Sequence, residues 1–171
     1  MSFKDEIHES IRLELHILEH VFNKIPKEDL QALEYRPSAG QRSLLELLRY
    51  LSYAGIGGCL AAVEGGFEGF RRVAVRAEDM PSEEFPAAMA RQKEEIAELF
   101  AGLTDEDLLS RRTKNPLGQE ISLAKGLLEL PFRWLVAYRM QLFLYAKAVG
   151  ADIWTPDCWY GIHRDRPVPK S

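Results

Sequence analysis

The chain has 171 residues, of which 46% are hydrophobic and 28% charged, a composition typical of globular proteins and not of disordered or fibrous chains. A chain of this length fits one domain and buries enough apolar surface to fold without metal or disulfide crosslinks. The net charge of −4 favours neither nucleic acid nor an anionic membrane, so neither partner is expected.

Three further features predict a soluble protein of the cytoplasm. The first ten residues, MSFKDEIHES, are polar and contain no apolar run of the signal-peptide type. Arg133 and Arg139 interrupt the most hydrophobic segment, so no membrane span is expected. Cys59 and Cys158 have neither the spacing of a metal motif nor the density of a disulfide framework, which favours a reducing compartment.

The first predicted element is a helix over about residues 3–25, ended by Pro26. Its apolar residues recur at steps of three and four and form one stripe: Ile7, Ile11, Leu15, Leu18, Phe22 and Ile25. A connector over residues 27–42 follows, with one short turn predicted over 27–33.

The second predicted helix begins after Ser43, which is followed three residues later by Glu46 in the spacing of a capping box. We expect it to end at the glycines Gly65, Gly66 and Gly69. Three further glycines lie inside it: Gly55, Gly57 and Gly58. Because glycine lowers helix propensity, a close approach of a neighbouring helix is the expected compensation.

Two more helices are predicted, over about residues 82–101 and 120–149, the second ending at Gly150. Pro131 removes one backbone hydrogen bond from the last helix and predicts a kink there. Four amphipathic helices with long connections indicate an all-α four-helix bundle over residues 1–150. Residues 151–171 contain Trp154 and Trp159 among prolines, and we expect them to form an irregular tail packed on the bundle.

Two segments carry a resemblance to a known family. RPSAGQRSLLELLRYLSYA, from Arg36, and WLVAYRMQLFLYAKAVG, from Trp134, resemble the second-helix and fourth-helix motifs of DinB/YfiT-like proteins. The resemblance implies the four-helix fold of that family, in which three histidines hold a divalent metal. The matching positions in this chain are Tyr50, Trp134 and Tyr138. Trp offers no acceptor and the Tyr phenol has a pKa near 10, so we expect neither a bound metal nor another cofactor.

The family motif therefore leads to two functional hypotheses. The first is a metal-free, divergent DinB-like protein of unassigned molecular function, which binds a small ligand or acts as a homodimeric interaction module. Its candidate ligand-binding residues are Tyr50, Trp134, Tyr138 and Gln141. The alternative, which the resemblance alone implies, is a metal-dependent transferase or isomerase acting with a thiol of the bacillithiol or mycothiol type.

At 100° per residue, Trp134, Tyr138 and Gln141 share the interior face of the fourth predicted helix. Two interpretations remain open for this aromatic group. In one, the rings fill the position of the family's metal and act as packing, with Trp134 deeply buried. In the other, they line an open cleft in which the phenols orient a small molecule.

The histidines give a weaker signal. His16 and His20 match the pattern H-x-x-E-H, in which two histidines bind zinc, but His8, His16 and His20 all share the polar arc of the first helix. We interpret this arc as a solvated face, with an adventitious metal pair or a peptidase site as alternatives. His163 is expected at the surface.

Two surplus apolar arcs predict a two-fold symmetric homodimer. The arc on the first helix comprises Leu13, Ile17 and Val21, and the arc on the fourth helix comprises Val136, Met140 and Phe143. The aromatic tail is the alternative cover for one of these arcs.

Overall fold

A computed structural model describes residues 2–26, 30–165 and 167. Four long helical segments build the bundle: α1 (Phe3–Asn23), α2 (Leu44–Glu64), α4 (Phe85–Ala101), and a last segment of α6 (Leu123–Leu127), a π-helical turn (Leu128–Phe132) and α7 (Arg133–Ala148). The shorter helices are α3 (Glu68–Ala74), α5 (Asp105–Ser110) and α8 (Thr155–Tyr160), with 3-10 turns at Leu30–Glu34, Val75–Ala77 and Ser82–Glu84. The expected all-α four-helix bundle is confirmed.

The starts of the long helices follow from local sequence. Ser43 caps α2, with its hydroxyl accepting from the Glu46 amide at 3.2 Å while the Glu46 carboxylate accepts from the Ser43 amide at 2.6 Å. This is the capping box that the sequence predicts. Ser2 and Asp5 form the same reciprocal pair at the start of α1.

Two segments differ from the sequence prediction. Residues 120–122, predicted as helix, form strand β2 (Glu120–Ser122), which pairs antiparallel with β1 (Arg112–Lys114) in the register Thr113 opposite Ile121. Gly65 ends α2 with a left-handed φ of 71°, but the chain then turns into α3, and Gly69 lies inside that helix. Gly69 therefore does not belong to the helix stop, and the expectation for it was wrong.

The glycines inside α2 lie where other elements come close, as expected. A Cβ built on Gly57 would lie 2.7 Å from the Phe70 ring of α3, and one built on Gly58 would lie 2.8 Å from the Cα of Pro131. Gly55 lies against Gln92, whose side-chain oxygen accepts from the Gly55 amide at 3.0 Å. Side chains larger than glycine would hold α3 and the π-helical turn away from α2.

The proline predicted to kink the last helix lies inside the π-helical turn Leu128–Phe132. A π-helical turn accommodates one more residue than an α-helical turn, so it rotates everything after it by about one position. Leu123 and Leu127 before the turn and Leu130 within it are buried in the core. After the turn, the buried residues are Leu135, Arg139, Leu142, Tyr145 and Ala146. Trp134, Tyr138 and Gln141 are half-buried at the edge of this face.

The rotation brings the charged side chain of Arg139 into the interior. Its Nε lies 3.0 Å from Oε2 of Glu14 on α1, and both side chains are only 8% exposed. One terminal nitrogen of Arg139 donates to the Cys158 carbonyl at 2.7 Å. Burial raises the pKa of Glu14, and the Arg139 charge partly offsets this. The pair therefore joins α1, α7 and the segment that follows the bundle.

Residues after Gly150 lie against α1. Gly161 approaches so closely that a Cβ built on it would lie 3.3 Å from the Cα of Ile17. Ile17 and Val21 are fully buried, and Leu13 is 38% exposed. The segment after Gly150, the expected alternative cover, therefore lies on the α1 arc at Ile17, and of the three arc residues only Leu13 is exposed. Residues 166 and 168–171 of the expected tail, and 27–29 of the expected short turn, lie outside the described residues.

None of the helices in the described ranges is both long and apolar enough to cross a membrane.

Gly58→Ala tests the close approach of α2 to the π-helical turn. Overpacking of a core usually costs about 1–3 kcal/mol, against a gain of at most about 1 kcal/mol in helix propensity. Because the obstructing atoms are Pro131 backbone, we expect a net loss of about 2 kcal/mol in the free energy of unfolding, measured by urea denaturation. The control is Gly40→Ala, since a Cβ there has no neighbour within 4 Å. Equal stability of the two variants would contradict the proposed constraint.

Candidate functional site

The structure brings together Tyr50 of α2 and Tyr138 of α7, two of the three positions that match the family's metal ligands. Their ring centroids are 4.7 Å apart, with the planes inclined by 54°. Trp134, one turn before Tyr138, is joined to this pair through Phe70 of α3, whose ring lies 5.6 Å from Trp134 and 6.4 Å from Tyr50. The three positions thus share one region between α2, α3 and α7.

We call this region the aromatic cluster; its members are Tyr50, Tyr53, Phe67, Phe70, Trp134 and Tyr138. Every ring in it is half-buried, so the cluster has one side on the core and another toward solvent. The deep burial expected for Trp134 under the packing interpretation is not found, because the π-helical turn gives the core position to Leu135.

Arg42, just before α2, covers part of this cluster. Its guanidinium carbon lies 4.5 Å from the centroid of the Tyr50 ring and 5.8 Å from that of Tyr138, which is cation–π geometry. Beside it lies a cleft of about 570 Å³ between α2 and the segment from α3 to Glu78. Its lining residues are Arg42, Glu46, Arg49, Tyr50, Tyr53, Arg71, Ala74, Val75, Ala77 and Glu78.

Gln141 lies in a different arrangement from the other three predicted site residues. Its side-chain nitrogen donates to the Tyr145 hydroxyl at 2.9 Å, and that hydroxyl donates to the Arg42 carbonyl at 3.1 Å. Tyr35 packs edge-on against Tyr145, with ring centroids 5.4 Å apart. Gln141 therefore holds the Arg42 backbone in place and contributes to the site through it.

The donor set at the family's metal positions does not fit a transition metal. Burial, and next the neighbouring Tyr138 phenol, raise the pKa of Tyr50, so its oxygen stays protonated at neutral pH. The Trp134 indole has no lone pair to donate. Elsewhere in the described ranges, no three His, Cys, Asp or Glu side chains are grouped so that they could hold a metal ion.

Several residues of the region were missed by the sequence analysis: Arg42, Arg49, Tyr53, Phe67 and Phe70. The aromatic residues at 67 and 70 follow directly after the glycines that end α2, and a short amphipathic turn there is the signal that could have identified them. Arg42 and Arg49 are seven residues apart and lie on the same side of the start of α2. That spacing does not by itself indicate a binding site, and only the cleft shows that the two arginines share one.

The histidines do not form the solvated face that the sequence predicts. His8 stacks on Phe100 with ring centroids 4.8 Å apart. His20 lies 2.8 Å from the carboxylate of Asp157 on α8, and His163 lies 3.3 Å from the same oxygen. Only His16 on α1 and His163 itself are exposed. His16 and His20 therefore do different things: His16 is exposed to solvent, and His20 helps to hold α8 on α1.

Asp157 is the centre of this contact. Its side chain is fully buried, and its second oxygen accepts from the Trp154 amide at 2.9 Å. Burial by itself raises the pKa of Asp157, but the hydrogen bonds from His20, the Trp154 amide and His163 outweigh it and hold the pKa below its usual value. The ionised carboxylate is thus the form that stabilises the docked segment.

Asp157→Asn tests this assignment. A lowered pKa contributes stability above the ordinary aspartate value of about 3.9, and the contribution disappears as the pH falls through the folded-state pKa. We expect a loss of about 2 kcal/mol in the free energy of unfolding at pH 7, and a difference from wild type that shrinks below about pH 4. The measurement is urea denaturation across pH, with exposed Asp79→Asn as control. A deficit that is constant with pH would contradict the assignment.

The comparisons with known proteins concern the fold. No family model matches the sequence, and no curated protein matches it. Among solved structures, the crystal structure of the DinB-like protein YjoA from Bacillus subtilis is similar to this chain, with a TM-score of 0.64 and 18% sequence identity. The match covers 85% of this chain and 92% of that one. The chain therefore has a DinB-like fold.

Proposed function

We propose that this chain is a metal-free DinB-like protein that binds a small organic molecule against its aromatic cluster. One observation carries the proposal: six half-buried rings pack against one another, and two of them, Tyr50 and Tyr53, line a cleft of about 570 Å³. Small-molecule sites are concave, mostly apolar and lined with a few polar groups at fixed positions. The phenols of Tyr50 and Tyr53, at the boundary of cluster and cleft, supply such groups.

The alternative, a metal-dependent thiol transferase or isomerase, has less support. It requires a divalent metal between α2 and α7, and Tyr50, Trp134 and Tyr138 offer no nitrogen with an available lone pair, no thiolate and no carboxylate there. Both cysteines are buried, and burial raises the pKa of each thiol, so neither presents an accessible thiolate. Unpaired cysteines also support a cytoplasmic location, which we propose with the function.

The proposal can be tested with N-phenyl-1-naphthylamine, a neutral aromatic probe that fluoresces in apolar sites. We expect saturable binding that is unchanged by EDTA. Removing one stacking ring with Tyr50→Ala is expected to weaken binding about fivefold to tenfold, because an aromatic pair contributes about 0.5–1.5 kcal/mol beyond its buried area.

The control is Tyr160→Ala, which removes a tyrosine ring that is 64% exposed on α8. Tyr50→Phe keeps the ring and is expected to bind nearly as wild type. Probe affinity that is the same in wild type, Tyr50→Ala and Tyr160→Ala would contradict the proposed site.

We also propose that the protein forms a homodimer, through α7 and not through α1. Met140 is 42% and Leu144 is 56% exposed, one turn apart on α7. Both line a groove of about 640 Å³ together with Ala137 and the connector residues Tyr35 and Pro37. Gln41, Gln141 and Tyr145 complete the lining of this groove. A two-fold axis beside α7 would bring the exposed Met140 and Leu144 of each copy against the same residues of the other, as a two-fold interface requires.

Leu144→Glu tests this interface by placing a charge on the apolar face. We expect sedimentation equilibrium at micromolar concentration to give a dimer for wild type and a monomer for Leu144→Glu, because a buried unpaired carboxylate is strongly unfavourable. Leu117→Glu is the matched control, since Leu117 is 81% exposed in the loop between β1 and β2. A wild-type monomer would overturn the dimer.

A further inference from the structure

The cleft beside the aromatic cluster carries an excess of cationic groups. Three arginines and two glutamates line it: Arg42, Arg49, Arg71, Glu46 and Glu78. The carboxylate of Glu46 is already engaged, because it accepts from the Ser43 amide at 2.6 Å and lies 3.5 Å from Arg36. Because Arg36, which lies outside the lining, shares the charge of Glu46 with Arg42, the lining keeps an excess of positive charge.

Two of these arginines keep hydrogen-bond donors available to the cleft. Arg49 donates through Nε to the Met80 carbonyl at 2.9 Å, and its terminal nitrogens have no hydrogen-bond acceptor among the described residues. Arg42 has its guanidinium carbon 4.5 Å from the centroid of the Tyr50 ring, and the described part of the chain places no carboxylate within 4.0 Å of its guanidinium. Arg71 differs, because it pairs with Glu68 at 2.8 Å.

The position of Arg42 also decides which sign of ligand charge the aromatic rings favour. Tyrosine faces attract cations, and a free pair of phenol rings would suit an ammonium ligand. Here the Arg42 guanidinium already covers the faces of Tyr50 and Tyr138 at 4.5 and 5.8 Å. A second cation would meet like charge, whereas an acidic group would meet planar, bidentate donors.

Resting on the proposed function, we infer that the ligand of this cleft is a planar aromatic acid, with its ring against Tyr53 and the part of Tyr50 that Arg42 leaves uncovered, and its carboxylate, sulfonate or phosphate held by Arg42 and Arg49. The hydrogen bonds from Gln141 to Tyr145 and from Tyr145 to the Arg42 carbonyl fix the backbone of the first arginine. The anion-binding pair is thus anchored at one end to α7 and at the other to the carbonyl of Met80.

A matched pair of probes separates this inference from the proposed function. N-phenyl-1-naphthylamine and 8-anilinonaphthalene-1-sulfonate share one ring system and differ by a sulfonate. We expect the sulfonate probe to bind wild type at least about tenfold more tightly than the neutral probe, because charge-assisted hydrogen bonds to the arginines strengthen its binding. Its affinity should fall with added NaCl, and that of the neutral probe should not.

Arg42→Gln and Arg49→Gln should each remove most of the advantage of the sulfonate probe and leave the neutral probe within about twofold of wild type. The control is Arg91→Gln, which changes an exposed arginine of α4 outside the cleft lining and should leave the advantage of the sulfonate probe unchanged. Equal binding of the two probes to wild type, or an advantage that survives in Arg42→Gln and Arg49→Gln alike, would overturn the inference. If the neutral probe still bound more weakly to Tyr50→Ala than to wild type, the proposed function would keep its support. If Tyr50→Ala had no effect on the neutral probe, the proposed function would be contradicted.

Discussion

The contact between Gly58 of α2 and the π-helical turn around Pro131 fixes how the two halves of the bundle fit together. Proline has no amide proton and interrupts the helical ladder, and the extra residue of the turn absorbs that interruption. Because Gly58 has no side chain, the Pro131 backbone can lie directly on α2. The extra residue of the turn rotates α7, and the contact with Gly58 holds the turn against α2. Together they decide which residues of α7 face the core.

That rotation explains two features that would otherwise be unrelated. It turns Arg139 inward, where an unpaired charge would be strongly destabilising, so Glu14 of α1 is needed as its partner. It also moves Trp134 and Tyr138 from the core to its edge, where their rings meet Tyr50 and Phe70 and remain half-exposed. One extra helical residue thus creates both the buried ion pair and the aromatic cluster.

The aromatic cluster lies where the family resemblance implies a metal, and we propose that it serves as the ligand site in place of that metal. The region between α2 and α7 is occupied by rings, and a guanidinium lies over two of them. A cation that is fixed by the protein itself can meet an acidic ligand without a metal ion. The proposed chemistry is therefore recognition by stacking and charge, and it depends on Arg42 and Arg49 beside the tyrosines.

The sequence alone determined the all-α bundle, the capped start of α2 and the close packing at its glycines, because helical periodicity, capping and glycine content act locally. It also brought Tyr50, Trp134 and Tyr138 to one region through the family motif. Only the tertiary structure decided how deeply each ring is buried. A prediction that assumes 100° of helical rotation per residue cannot include the extra rotation that the π-helical turn at Pro131 introduces. The tertiary structure alone also paired His20 with Asp157, and placed Arg42 over Tyr50, because those contacts join residues that are distant in sequence or lie across an irregular helix start.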